Sequence, residues 1–119
     1  TSLKLVENNE IDYTYKSTNR LLLNELYAMR QQESDVLIVQ NGLITDTSYC
    51  NVALFDGHRY VTPAQPLHKG TTLTRLLHEN KLTSCPISPQ NLHQFKFLSP
   101  FNAMIELGEI KIDINAIQP

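Results

Sequence analysis

Hydrophobic residues recur along this chain in short runs split by turn formers, and the spacing inside each run predicts its element. Leu3 to Val6 is an apolar-rich strand candidate, closed by a polar turn at Glu7 to Glu10. Ile11, Tyr13 and Tyr15 alternate with Asp12, Thr14 and Lys16, the pattern of a half-buried strand. That alternation sets Lys16 on the face opposite the two tyrosines. Leu22, Leu26 and Met29 then recur at helical spacing, with Leu23 and Tyr27 widening the stripe. They predict a helix over about Asn19 to Gln32, capped by Ser17 or Thr18. Its positive end falls beside Lys16 and disfavours the protonated amine.

Val36 to Gln40 and Leu43 to Thr45 flank Asn41-Gly42, a strong hairpin signal because both central residues of a type I′ turn need positive φ. Cys50 to Phe55 and His58 to Thr62 repeat the arrangement around Asp56-Gly57. Between the hairpins, Asp46-Thr47-Ser48-Tyr49 reads as a polar loop. Thr62-Pro63-Ala64-Gln65-Pro66 breaks regular structure. Leu73, Leu76 and Leu77 then give one apolar face to a helix over about Thr71 to Asn80. Ser88-Pro89 starts a short helix running to Phe95. A last hairpin is predicted from Ala103 to Leu107 and Ile110 to Ile114, turning at Gly108-Glu109. About seven to nine strands, many hairpin-linked, against two or three helices predict a mixed α/β domain. Its sheet is expected to be largely antiparallel and curled toward a barrel.

Composition narrows the function. The 119 residues suit one domain with one core, and 41% hydrophobic with 18% charged residues is ordinary for a soluble globular protein. A formal charge of −2 with no basic stripe gives a nucleic-acid role no electrostatic support. Apolar runs such as Val36 to Val39 are too short to cross a bilayer, and nothing at the N-terminus resembles a signal peptide. The cytoplasm is therefore the default location, with Cys50 and Cys85 as reduced thiols. His58, His68, His78 and His93 are scattered, and no metal site is read. The chain opens on Thr1, so it is either processed or part of a longer protein.

Three places carry candidate chemistry. Lys16 lies between a strand and a helix, beside a loop; most lysines are solvated surface charges. Gly70-Thr71-Thr72 precedes a helix and offers backbone N–H groups and hydroxyls to a phosphate, although an ordinary capped helix has the same sequence. Asp46 either caps the amides of its own loop or pairs with a buried cation or a protonated ring nitrogen. Asn51 reads as closing the turn into its strand. An amine, an acid and a phosphate-binding helix end are the three parts a pyridoxal phosphate enzyme requires.

The order of the segments resembles the C-terminal half of the class IV (fold-type IV) aminotransferases, the group that includes branched-chain and D-amino acid aminotransferases and aminodeoxychorismate lyase. Tyr15-Lys16-Ser17-Thr18-Asn19-Arg20 looks like the family's lysine segment, and Asp35 to Gly42 like its hairpin. Ile44 to Leu54 looks like its cofactor strand and loop. Tyr60 to Pro63, continuing through Leu67-His68-Lys69-Gly70-Thr71-Thr72, looks like its phosphate turn and helix. The resemblance implies that Lys16 forms the Schiff base with pyridoxal 5'-phosphate and that Asp46 contacts the pyridine nitrogen. It implies that Thr71 and Thr72 bind the phosphate, that Thr47 and Ser48 line the cofactor face, and that Asn102, in Phe101-Asn102-Ala103, approaches phosphate or substrate. Two positions depart from the pattern: Asp46 stands for the usual Glu, and Leu73 for a frequent Arg.

The family's N-terminal half has no counterpart, so residues 1–119 resemble the cofactor-carrying lobe of a longer enzyme. The resemblance implies amino-group transfer on an amino acid or amino-acid-like substrate, or alternatively pyruvate elimination of the aminodeoxychorismate lyase type. A relative with no cofactor is the third reading. A homodimer is implied as well.

Overall fold

The computed structural model describes residues 2–7, 28, 34–48 and 50–119. The strand expected at 11–16 and Lys16 on it lie outside the described residues, as does the helix expected at 19–32 except for Ala28, which is helical. The described strands form two sheets. The first has the order β3-β2-β1-β9, from β1 (Leu3–Glu7), β2 (Asp35–Gln40), β3 (Leu43–Thr47) and β9 (Ile117–Gln118). The second has the order β6-β5-β4-β7-β8, from β4 (Asn51–Phe55), β5 (Tyr60–Pro63), β6 (Thr83–Cys85), β7 (Phe97–Phe101) and β8 (Ile112–Asp113). One α-helix, α1 (Thr71–His78), and 3-10 helices at Pro89–Gln94 and Ile114–Ala116 complete the described elements.

The mixed α/β class holds. The strands are divided between two sheets where one curled sheet was expected, and β1 is parallel to both its neighbours, as β5 is to β6. The first two predicted hairpins pair antiparallel, β2 with β3 and β4 with β5. Asn41 and Gly42 take φ of 53° and 79°, the positive values that an Asn-Gly turn requires. The second connection is a four-residue loop, because Phe55 pairs with Tyr60. Asp56 closes it by accepting hydrogen bonds from the N–H groups of His58 and Arg59 at 2.8 and 2.9 Å.

Period-2 alternation distributes β4 between two cores. Val52 and Leu54 face the first sheet and pack with Leu3, Leu37, Val39, Ile44, Val61 and Leu98. Ala53 faces the other way, against Leu73 and Leu76 of α1, with Leu82 and Phe101. The layers therefore run sheet, sheet, helix. Asn51 shares the parity of Ala53, so it lies on the α1 side.

The last predicted hairpin does not form. Asn102 takes the backbone out of the strand: its Oδ1 accepts from the N–H groups of Met104 and Ile105 at 2.8 and 2.9 Å. The chain then folds back, with Gly108 N–H donating to Ser99 Oγ at 2.8 Å, and returns only as the two-residue β8. On its side away from β5, β4 pairs with β7, which contains Pro100. β8 pairs with β7 only at Phe97 and Leu98, so β7 is an edge at Pro100, where a missing N–H removes no ladder bond on that side.

Among the described residues no helix is long and apolar enough to cross a membrane. Gly42→Ala should destabilise the domain by about 1 kcal/mol, because its left-handed backbone disfavours a Cβ. Urea denaturation measures this; no loss of stability would show the turn to be adaptable.

Candidate functional site

The site begins with an irregularity in β3. Val39 pairs with Ile44 but Leu37 pairs with Thr47, so Thr45 and Asp46 together lie opposite Ile38. The extra residue is a β-bulge, a device that re-aims a side chain. Thr45 Oγ1 donates to the Ile38 carbonyl at 3.2 Å, which anchors the bulge from its own side chain. Asp46 is consequently inside a strand and only 3% exposed, where the sequence suggested a residue facing an open loop.

One oxygen of this carboxyl is satisfied and the other is not. Asp46 Oδ2 accepts from the backbone N–H of His68 at 3.2 Å. Oδ1 is buried without a hydrogen-bond partner among the described residues. Burial pushes the carboxyl up to about 7, against partial offsets from the His68 backbone, the Thr45 side chain and the Leu67 backbone. A buried acceptor with no donor is costly and therefore rare in a folded protein.

The His68 backbone is gripped at its carbonyl as well. Asn51 Nδ2 donates to the His68 carbonyl at 2.6 Å. Asn51 is 8% exposed, on the first residue of β4. The loop leading to α1 is thus tied at one residue to the first sheet through Asp46 and to the second through Asn51.

Thr47 and Ser48 close the connection between the two sheets. Thr47 Oγ1 accepts from Cys50 N–H at 3.0 Å and lies 3.3 Å from the Cys50 carbonyl, while Thr47 N–H donates to that carbonyl at 3.0 Å. Ser48 Oγ donates to Asp35 Oδ1 at 2.7 Å. Both residues are buried beside Asp46, with their hydroxyls engaged in shaping this turn. Cys50 is a free, half-buried thiol pushed upward by burial; Asn102 Nδ2 donates to its sulfur at 3.4 Å.

Helix α1 follows Gly70, which has φ −68° and ψ 166° and supplies no side-chain cap. No acidic residue occupies the first turn, so the N–H groups at Thr71 and Thr72 keep their positive end for a ligand. A cavity of about 380 Å³ separates α1 from the 102–107 loop. Thr72, Arg75, Lys81, Asn102 and Glu106 line it, so Thr72 and Asn102 share one space although they are far apart in the chain. Asn102 gives one side-chain N–H to Cys50 and its backbone N–H to Ile105 O at 3.0 Å. It shapes the cavity's loop.

The structure brings together Asp46, Thr47, Ser48 and the loop preceding Thr71 and Thr72, with Thr72 and Asn102 meeting across the cavity. Lys16 and its position relative to these lie outside the described residues. Two participants are hidden in the sequence. Asn51 reads only as closing a turn, and the His68 backbone carries no signal at all. The available signal for Asn51 was a polar residue opening the otherwise apolar run Val52-Ala53-Leu54, on the parity that faces away from the first sheet.

The family model for amino-transferase class IV matches residues 1–112. This chain belongs to the class IV aminotransferases. It is similar to an uncharacterised Haemophilus influenzae protein, 33% identical over 96 residues, covering 81% of this chain and 51% of the relative. The chain thus spans about half the length of that curated relative. The structure of a candidate 4-amino-4-deoxychorismate lyase from Haemophilus somnus superimposes with a TM-score of 0.82 at 31% identity, over 89% of this chain and 55% of that one. An aminotransferase from Brucella abortus, solved bound to the cofactor PLP, shares the fold with a TM-score of 0.69 at 12% identity, over 98% of this chain and 46% of that one.

The described side chains fit the cofactor of class IV aminotransferases. A pyridinium N–H is the kind of donor that the orphaned Asp46 Oδ1 lacks, and a carboxyl poised near neutrality ionises readily when a cation meets it. The uncapped start of α1 fits a phosphate.

The raised Asp46 carboxyl makes the cofactor-free protein sensitive to pH. Folding binds a proton between 3.8, where the unfolded group titrates, and about 7, where the folded one does. Stability is therefore complete below the lower value and declines as pH rises through the upper one. From pH 5 to pH 8 the expected loss is about 2–3 kcal/mol, and Asp46→Asn should flatten it. Urea melts of both proteins across that range measure the slope; equal slopes would remove Asp46 as its source.

Proposed function

We propose that this chain is the cofactor-binding lobe of a pyridoxal phosphate-dependent enzyme that transfers the amino group of an amino acid or amino-acid-like substrate. The observation that carries the reading is the buried carboxyl of Asp46, one oxygen fixed by His68 and the other without a hydrogen-bond partner among the described residues. When bound, the cofactor supplies an electron sink that stabilises a carbanion beside the substrate's amino group. Asp46 accepts the ring N–H and keeps that nitrogen protonated. Thr71 and Thr72 donate to the phosphate from the start of α1. Thr47 and Ser48 would line the cofactor face through the turn they hold, and Asn102 holds the loop opposite Thr72. The Lys16 amine would hold the cofactor and would move a proton at the substrate carbon.

Elimination of pyruvate is the second reading. It is favoured by the likeness, at 31% identity, to the Haemophilus somnus candidate 4-amino-4-deoxychorismate lyase. The two differ in product: a keto acid plus an aminated acceptor, against pyruvate without an acceptor. By the family resemblance we also expect a homodimer working in the cytoplasm.

Borohydride reduction of the full-length protein with pyridoxal phosphate, followed by peptide mapping, tests the cofactor reading. A pyridoxyl adduct on Lys16 is expected, together with a fall in turnover of about a thousandfold or more in Lys16→Ala. An unmodified Lys16 under cofactor excess would overturn it. Product analysis with amino-acid substrates then separates transfer from elimination.

A further inference from the structure

Gly70 precedes α1 with a backbone that any residue adopts, so conformational freedom does not explain a glycine there. Contact does. A Cβ at Gly70 would lie 3.0 Å from Asn51 Oδ1, closer than carbon and oxygen ordinarily approach. Asn51 cannot easily retreat, because its Nδ2 is held by the His68 carbonyl at 2.6 Å and the residue is 8% exposed. One amide therefore grips the loop at His68 with its nitrogen, while its oxygen occupies the place a Cβ at position 70 would need.

Gly70 is itself locked to the helix. Its carbonyl accepts from both the N–H and the Oγ1 of Thr74 at 3.0 Å, which begins the helical ladder. Displacing Gly70 therefore displaces the N–H groups of Thr71 and Thr72. Displacing His68 disturbs the oxygen that Asp46 does not offer to a ligand. The acid and the helix end meet through two residues of loop, His68 and Gly70, and Asn51 touches both.

We propose that Asn51 is a positioning residue that sets the spacing between Asp46 and the N-terminus of α1, so that one ligand engages both at once. The inference rests on the cofactor reading above, since pyridoxal phosphate carries its ring nitrogen and its phosphate within one small molecule of limited reach. Asn51 touches neither group. Its effect is geometric, and it accounts for the glycine at position 70 as the small partner of a fixed amide.

Binding of two probes to the full-length protein tests it: pyridoxal phosphate, and pyridoxal, which has the ring without the phosphate. Asn51→Ala should weaken pyridoxal phosphate about tenfold while leaving pyridoxal within about twofold, because only the simultaneous contact is lost. Gly70→Ala should do the same from the other side of the contact, and it keeps Asn51 in place should Asn51→Ala fold poorly. In the Asn51→Ala background, Gly70→Ala should add less than about twofold, since the oxygen it meets is gone. A general loss of structure would weaken both probes in parallel, and that result would overturn the proposal. So would additive effects of the two substitutions, or a preference for the phosphate ester unchanged in both variants. Wild-type protein that binds neither probe would overturn the cofactor reading together with this one, whereas wild-type binding with indifferent variants overturns this one alone.

Discussion

The backbone of His68, held between two buried side chains, is the contact on which the rest of the site depends. Its N–H meets Asp46 on β3 of the first sheet, and its carbonyl meets Asn51 on β4 of the second. Backbone N–H and C=O groups taken out of water each need a partner. Here the two partners come from different sheets, so satisfying one residue's backbone also fixes the sheets relative to the loop that launches α1. The Ile44 N–H to Ile87 carbonyl bond, at 2.7 Å, joins β3 to a distant loop as a further tie.

That arrangement leaves one polar atom facing no donor among the described residues. A carboxyl buried with an unpartnered oxygen works against stability in the folded protein. The bulge at Thr45 and Asp46 is part of the same departure from regular structure, since a regular β3 would place the acid in another register. Two irregularities concentrated at one residue, each unfavourable locally, are characteristic of a site shaped for a ligand. Asp46 has a shorter arm than the glutamate usual in the family. The bulge is the backbone feature that determines where that shorter arm ends.

Much of the frame was legible in the residues. Asn41-Gly42 specifies its hairpin because few other pairs tolerate two positive φ values in succession. The leucines at 73, 76 and 77 announce α1 by their spacing, and Ser88-Pro89 announces the 3-10 helix after it. The last hairpin was misread for a definite reason. Alternation near Ala103 to Leu107 suits a strand, but Asn102 offers its own side chain to the next N–H groups and ends the ladder there. β7 was hidden by Pro100, which is acceptable only because β8 stops short of it.

The candidate acid, the phosphate turn and the order of the segments were set by sequence alone, because each depends on residue type and local spacing. The tertiary structure decided the rest. Nothing local to Asp46 says that it is buried, that one oxygen has a partner and the other none among the described residues, or that a bulge turned it inward. Those facts come from β2, from the His68 loop and from the packing of two sheets. Nor does the run from Asn51 to Leu54 reveal that its first residue grips a peptide seventeen positions later. Hydrogen bonds between distant segments have no periodicity to betray them. Patterning placed these residues on their strands, and only the packed sheets could determine which atoms they meet.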